Sequence, residues 1–287
     1  MYSNVIIAVD GREGGRDAAV LARMLTVRGC SLTLVYASTS GADPALDGEL
    51  SDSGELAEEL ADERDLCGGE PDVERVTALS IGAGLEQVAA RRGAQLIIVG
   101  ASRRHGINRL FSRDGVSSVM HHTPCAVAMA PAGFAENPRV LSRIGVAYDG
   151  SPESEVALAH AGLLAADHRS LLLARHVVEP RVYAGAWGTV PPVDADAELA
   201  AARQQLGPLE GVELDHVYGP VRELLLEFSR DVDLLVCGSR HNGPMRRIAV
   251  GSTSEYLARH ERTPLLVAPS TDVGSIVRWH ERAYQEA

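Results

Sequence analysis

One stretch of this chain occurs twice, and the register holds without a gap between residues 100–131 and residues 238–269. What precedes each copy repeats as well. A strand ends in aspartate (6–10; 144–149) and an amphipathic helix follows (13–27; 152–166). A second strand (32–37; 171–177), a polar insertion (38–54; 178–193) and a second helix (55–66; 194–206) come next. A third strand (73–79; 212–218) and a third helix (83–92; 221–230) then lead to a fourth strand, a glycine loop, a helix and a fifth strand ending in proline. Such a chain must build the same unit twice. Strand–helix alternation with connections of this length requires right-handed crossovers and a parallel, doubly wound sheet. The short aliphatic runs, such as Val5-Ile6-Ile7-Ala8-Val9, suit strands buried on both faces. The boundaries expected are residues 1–131 and 143–269 for the two domains, 132–142 for a linker and 270–287 for a tail.

The repeated loop differs between its copies. The second reads Gly238-Ser239-Arg240-His241-Asn242-Gly243-Pro244, followed after an interval by Gly251-Ser252-Thr253. The first reads Gly100-Ala101-Ser102-Arg103-Arg104-His105-Gly106, and has Arg113-Asp114-Gly115 where the second has Gly251-Ser252-Thr253. A glycine turn leaving a strand, then Gly-Ser opening a helix, suits a phosphate: glycine allows close approach and free N–H groups attract anions. In a doubly wound sheet both strand-end aspartates and both glycine loops belong at the carboxyl edge of the strands, where ligands bind.

Composition narrows the chemistry. The chain contains no lysine, so all 27 basic residues are arginine, which removes Walker-type, Schiff-base and kinase lysines together. Net charge is −12. Between Asp43 and Glu74 thirteen carboxylates face a single Arg64. This segment disfavours nucleic acid and anionic membrane, and reads as a solvated helix with flanking loop or as a docking surface for a basic partner. No apolar run reaches the ~20 residues that span a bilayer, and no charged-then-apolar leader opens the chain, so the expectation is cytoplasmic. The four cysteines (Cys30, Cys67, Cys125, Cys237) lack metal spacing and read as reduced core residues; Cys67, in a polar stretch, is the first candidate for a redox-sensitive exception. Ser102, His105, His121, His122 and Asp114 cluster in sequence, but no nucleophile elbow accompanies them. His121-His122 has no helical partner for a metal. No catalytic residue and no metal site is expected.

The residues Val146-Ala147-Tyr148-Asp149-Gly150-Ser151-Pro152-Glu153-Ser154, Arg175-His176-Val177-Val178 and 233–269 resemble the universal stress protein family in its tandem form. The family's nucleotide signature is Gly-x2-Gly-x9-Gly-[Ser/Thr]. Gly238, Gly251 and Ser252 fall on it, and His241 replaces its second glycine. The resemblance implies two Rossmann-like (adenine nucleotide alpha hydrolase-like) α/β domains, each a five-stranded parallel sheet with helices on both faces. It implies that adenine lies between Asp149 and Val177, and that Gly238, Ser239, Arg240, His241, Gly243, Gly251, Ser252 and Thr253 hold the ribose and phosphates of ATP, with or without Mg²⁺. It implies a regulatory role with little or no turnover. The residues themselves leave bland alternatives open: Asp149 as a helix-capping aspartate, Gly238 as a turn glycine, and Arg240, Arg246 and Arg247 as solvated surface arginines.

In the first half, Asp114 at a helix start would accept the N–H bonds that a phosphate uses and repel a triphosphate. Arg103, Arg104 and Arg113 are close enough in sequence to neutralise it or to hold another anion. Nucleotide binding is therefore expected in the C-terminal half only. The other reading is a nucleotide-free structural or adaptor protein working through its surfaces. The apolar fifth strands, at sheet edges, are expected to pair with one another and make a pseudo-dimer within one chain, with a further homodimer possible.

Overall fold

The computed structural model describes residues 2–39, 53–101, 119, 123, 125–180, 194–239, 252–260 and 262–269. In chain order its strands are β1 Tyr2–Val9, β2 Thr26–Thr39, β3 Asp72–Ala78, β4 Leu96–Gly100, β5 Ala126–Ala130, β6 Arg143–Ala147, β7 Leu171–Val178, β8 Glu213–Tyr218, β9 Leu234–Gly238 and β10 Leu265–Ala268. The helices are α1 Glu13–Leu25, α2 Ser53–Glu59, α3 Ala61–Cys67, α4 Ile81–Arg92, α5 Pro152–His168, α6 Ala195–Leu206, α7 Val221–Phe228 and α8 Ser252–His260.

The strands form one sheet in the order β3-β2-β1-β4-β5-β10-β9-β6-β7-β8. Within each half all pairings are parallel. The halves meet where β5 and β10 pair antiparallel, Leu265 opposite Met129 and Val267 opposite Val127. Each of these strands is fully buried, and each would otherwise leave an apolar edge open to uncontrolled pairing. Across the same junction the Tyr2 hydroxyl lies 2.9 Å from His160 Nδ1 and the two rings stack. Burial lowers the His160 imidazole to about 4, so it stays neutral.

Strand alternation sorts the aliphatic side chains into two layers. Val5, Ile7 and Val9 pack with α1 and α5, through Leu21, Leu25, Val156 and Leu164. Ile6 and Ala8 belong to a second buried layer that also contains Leu85, Val88, Phe228 and Leu257, from α4, α7 and α8. Each such side chain contributes about 1.5–3 kcal/mol on burial, which explains near-continuous aliphatic strands rather than an alternating pattern.

Several local features differ from the sequence expectation. The first helix ends at Leu25, because β-branched Thr26 is extended (φ −111°, ψ 156°) and its hydroxyl closes the helix on Ala22 O at 2.8 Å. From there β2 runs as a long strand whose pairing with β1 shifts between Tyr2 and Asn4, with Gly29 at φ +86°. The second helix breaks at Leu60 (φ −94°, ψ 20°), and Leu56 and Leu60 are both buried. Cys67 is a core residue, only 3 % exposed, and burial pushes its thiol up to about 12. It is no redox candidate; Cys30 is the half-buried cysteine. The acidic segment is not uniformly solvated either, since Glu63 is 1 % exposed.

Residues 133–135 are pinned to the first half, while Leu141 O and Ser142 N bond Ser170 and Asp233 of the second. Asp17 is buried in α1 and accepts from Gly133 N at 2.8 Å and Ala135 N at 2.7 Å. Phe134 and Leu141 are buried alongside. Asp17→Ala is expected to lower the unfolding free energy by about 2 kcal/mol, because two half-buried N–H groups lose their carboxyl acceptor. Urea unfolding measures this; an unchanged midpoint would show that the segment is not held by Asp17.

Candidate nucleotide site

Topology alone creates two crevices. In the first half the chain leaves β1 toward β2 and β3, then returns on the other side as β4 and β5; the second half does the same around β6 and β9. The carboxyl ends of β1 and β4, and of β6 and β9, therefore lie side by side at switch points. Val146 pairs with Val236, which brings Asp149, just beyond β6, to the same edge as Gly238 and Ser239 at the end of β9. Ile7 pairs with Ile98, which does the same for Asp10 and Gly100.

The two aspartates make the same turn with opposite electrostatics. Gly150 has φ +75°, a conformation that favours glycine, and lets Asp149 Oδ1 accept from Ser151 N at 3.0 Å and Ser151 Oγ at 2.5 Å. Ser151 in turn caps α5, accepting from Ser154 N at 3.2 Å, with Pro152 opening the helix. Burial pushes the Asp149 carboxyl up, but the bonds from Ser151 and Ser154 and the nearby His176 more than offset it. The group stays below the ordinary carboxylate value.

In the first half Gly11 has φ +68° and Asp10 Oδ1 accepts from Arg12 N at 3.1 Å, but Arg12 supplies no side-chain cap. Burial dominates there and holds the Asp10 carboxyl at about 6. Glu63 is close enough to share this field, and burial raises its carboxyl too. Between the ordinary 3.8 and about 6 the folded Asp10 binds more protons than the unfolded one, so stability falls as pH rises through that window. Asp10→Asn should accordingly raise the urea midpoint at neutral pH and leave it unchanged once the pH is below the ordinary carboxylate value. A parent more stable than the variant at neutral pH would contradict this.

Gly238 has a structural role independent of any ligand. A Cβ there would come within 2.7 Å of the Glu153 carbonyl carbon, in the first turn of α5. Gly100 stands in the same relation to Gly14 in α1, also at 2.7 Å. The glycines let a helix N-terminus press onto the strand end beside each crevice. Beyond Gly238, Ser239 is 1 % exposed, and its hydroxyl has no hydrogen-bond partner among the described residues.

The start of α8 is tied to the same point. Ser254 Oγ lies 3.4 Å from both Gly238 O and Cys237 Sγ. The first turn of α8 carries Ser252, exposed, and Thr253, half-buried. Val177 sits near the end of β7, half-buried against the layer formed by α7. Tyr148 N donates to Arg175 O at 3.0 Å, which keeps β7 beside the Asp149 turn. Asp149, Val177, Gly238, Ser239, Ser252 and Thr253 thus share one edge of the second half. Arg240, His241, Gly243 and Gly251 lie outside the described residues, as do Arg246, Arg247, Arg103, Arg104, Arg113, Asp114, Ser102, His105, His121 and His122.

The model of the universal stress protein family matches residues 1–131 and again 141–269. The chain belongs to the universal stress protein family. A universal stress protein of Mycolicibacterium smegmatis is 27 % identical over 197 residues, which is 63 % of this chain and 63 % of that relative's length. The crystal structure of a universal stress protein from Archaeoglobus fulgidus shares the fold, with a TM-score of 0.66 at 18 % identity, covering 94 % of this chain and 97 % of the other. A universal stress protein solved in complex with cAMP covers 45 % of this chain and 97 % of its own, at 19 % identity and a TM-score of 0.34. In this tandem universal stress protein no described helix is long and apolar enough to cross a membrane.

Sequence reading missed two through-space groupings. His216 on β8 stands directly opposite His176 on β7, a pairing set by strand register that no local motif announces. Glu63 turns inward from an otherwise acidic helix, its Oε1 beside Gly15.

Proposed function

We propose that this tandem universal stress protein is a cytoplasmic regulatory module that binds an adenine nucleotide, ATP with or without Mg²⁺, in its C-terminal half alone. The observation that carries the reading is the switch point of the second half. There an ionised Asp149, the Gly238-Ser239 strand end and the Ser252-Thr253 helix start stand at one edge. An ionised carboxylate can accept from the adenine amino group, and the open first turn of α8 offers N–H groups to phosphate. The unpartnered Ser239 hydroxyl is a further polar group at the strand end. The first half instead carries Asp10 held at about 6 beside Glu63, and Arg113-Asp114 in place of Gly251-Ser252. Binding without turnover follows from a chain with no lysine to stabilise a transferring phosphoryl group.

Acid extraction of the purified protein, followed by chromatography, tests the reading: adenine nucleotide is expected from the parent. Removing the His241 ring from the loop should tighten ATP binding. His241→Gly is expected to gain about 1 kcal/mol, roughly fivefold in affinity, by calorimetric titration. Product formation from ATP and Mg²⁺ above a Gly251→Asp control would instead establish an enzyme.

The adaptor reading is favoured by a different observation. A cleft of about 450 Å³ between α1, α3 and residues 133–136 is lined by Glu13, Asp17, Asp62, Asp65 and Glu136, with Arg16 the one cation among the described lining residues. Such a surface suits a basic partner. A nucleotide-free protein that captures a basic peptide there would favour it.

A further inference from the structure

His176 and His216 occupy directly opposed positions on neighbouring strands β7 and β8, and their Nδ1 atoms are 3.2 Å apart. The rings meet edge to face, with centroids 5.3 Å apart. Two imidazole nitrogens bound to one tetrahedral zinc at 2.0–2.1 Å stand about 3.3–3.4 Å apart, so this pair already holds close to that span. Both residues are half-buried and so remain within reach of solvent. We propose that His176 and His216 form a two-imidazole site for a borderline divalent transition metal, Zn²⁺ in the first instance, coordinated through both Nδ1 atoms. Imidazole is the ligand type that suits such ions. Among the described residues no cluster of three or more His, Cys, Asp or Glu forms a cage, so water or an exogenous anion completes the coordination.

The protonation states favour ligation. Burial, the charge of His216 and the opposing Asp149 act on His176, and the net effect lowers its imidazole below the ordinary value. Burial and Arg203 from α6 lower His216, with Asp215 opposing. A metal ligand must be a neutral imidazole. Without metal, one Nδ1–H donates to the other Nδ1. When metal binds, the donating ring carries its proton on Nε2 instead, and both Nδ1 lone pairs face the ion. The tautomer exchange requires no net proton release. Asp149 favours a cation at this position and Arg203 disfavours it, while Asp215 is paired with Arg175 at 3.0 Å.

Equilibrium dialysis of the full chain against Zn²⁺ at neutral pH tests the site, alongside His176→Gln, His216→Gln and the double variant. Each single variant should lose at least about tenfold in affinity for this equivalent, and the double variant should lose no less. Circular dichroism checks that the variants are folded. On the parent alone, long-range proton–nitrogen spectra read the same point. Zn²⁺ should shift the Nδ1 resonances of both histidines and leave Nε2 protonated. Three outcomes would each overturn the proposal: no retained zinc at micromolar concentration, zinc retained equally by the double variant, or binding that leaves both Nδ1 resonances in place.

Discussion

Gly238→Ala should lower the unfolding free energy by about 3 kcal/mol with no nucleotide present, the upper part of the range for overpacked cores. The added Cβ meets backbone, the Glu153 carbonyl, and not the far end of a flexible side chain. Relief therefore requires moving the first turn of α5, which is fixed by Ser151 as its cap and by Asp149 behind Ser151. The motif residue most readily assigned to phosphate thus serves packing first. Urea denaturation of the nucleotide-free protein measures the effect. If the variant matched the parent in stability but bound ATP more weakly, Gly238 would be a ligand glycine alone.

Ser252→Asp should reduce ATP binding below detection while leaving the fold intact. The substitution places at the start of α8 the residue type that the first half carries in Asp114. A carboxylate in the first turn of a helix accepts the free N–H groups and is itself stabilised by them, so stability should hold or rise. A triphosphate arriving at the same N–H groups would meet that negative charge at close range. Ser252 is exposed, which makes the change cheap for folding and specific to binding. Calorimetric titration with ATP and Mg²⁺ checks the loss, and thermal unfolding checks the fold.

Much of the fold was legible because each half repeats one strand–helix alternation. The aliphatic runs at Val5-Ile6-Ile7 and Leu234-Leu235-Val236 fall in the central strands, and apolar fifth strands implied a partner at the edge. Asp149 and Gly238 could be placed at the carboxyl edge from the chain order alone. Other features depend on through-space register or on burial. The His176–His216 contact joins residues 40 apart in sequence, and the Asp17 bond to Gly133 joins residues 116 apart. Asp10 and Asp149 look alike in sequence, yet one is held at about 6 and the other is lowered. Asp149 has Ser151 to donate a hydroxyl, whereas at Asp10 burial outweighs the lowering by Arg12. Cys67 misled because its polar neighbours face solvent while its own side chain packs inward.

Under the proposed function the two halves, alike in fold, differ in ligand. Titration of the nucleotide-free full chain with ATP and Mg²⁺, read as stoichiometry, tests it most directly. One nucleotide per chain is expected, unaffected by Asp10→Asn and abolished by Ser252→Asp. Two nucleotides per chain, or one that survives Ser252→Asp, would contradict it.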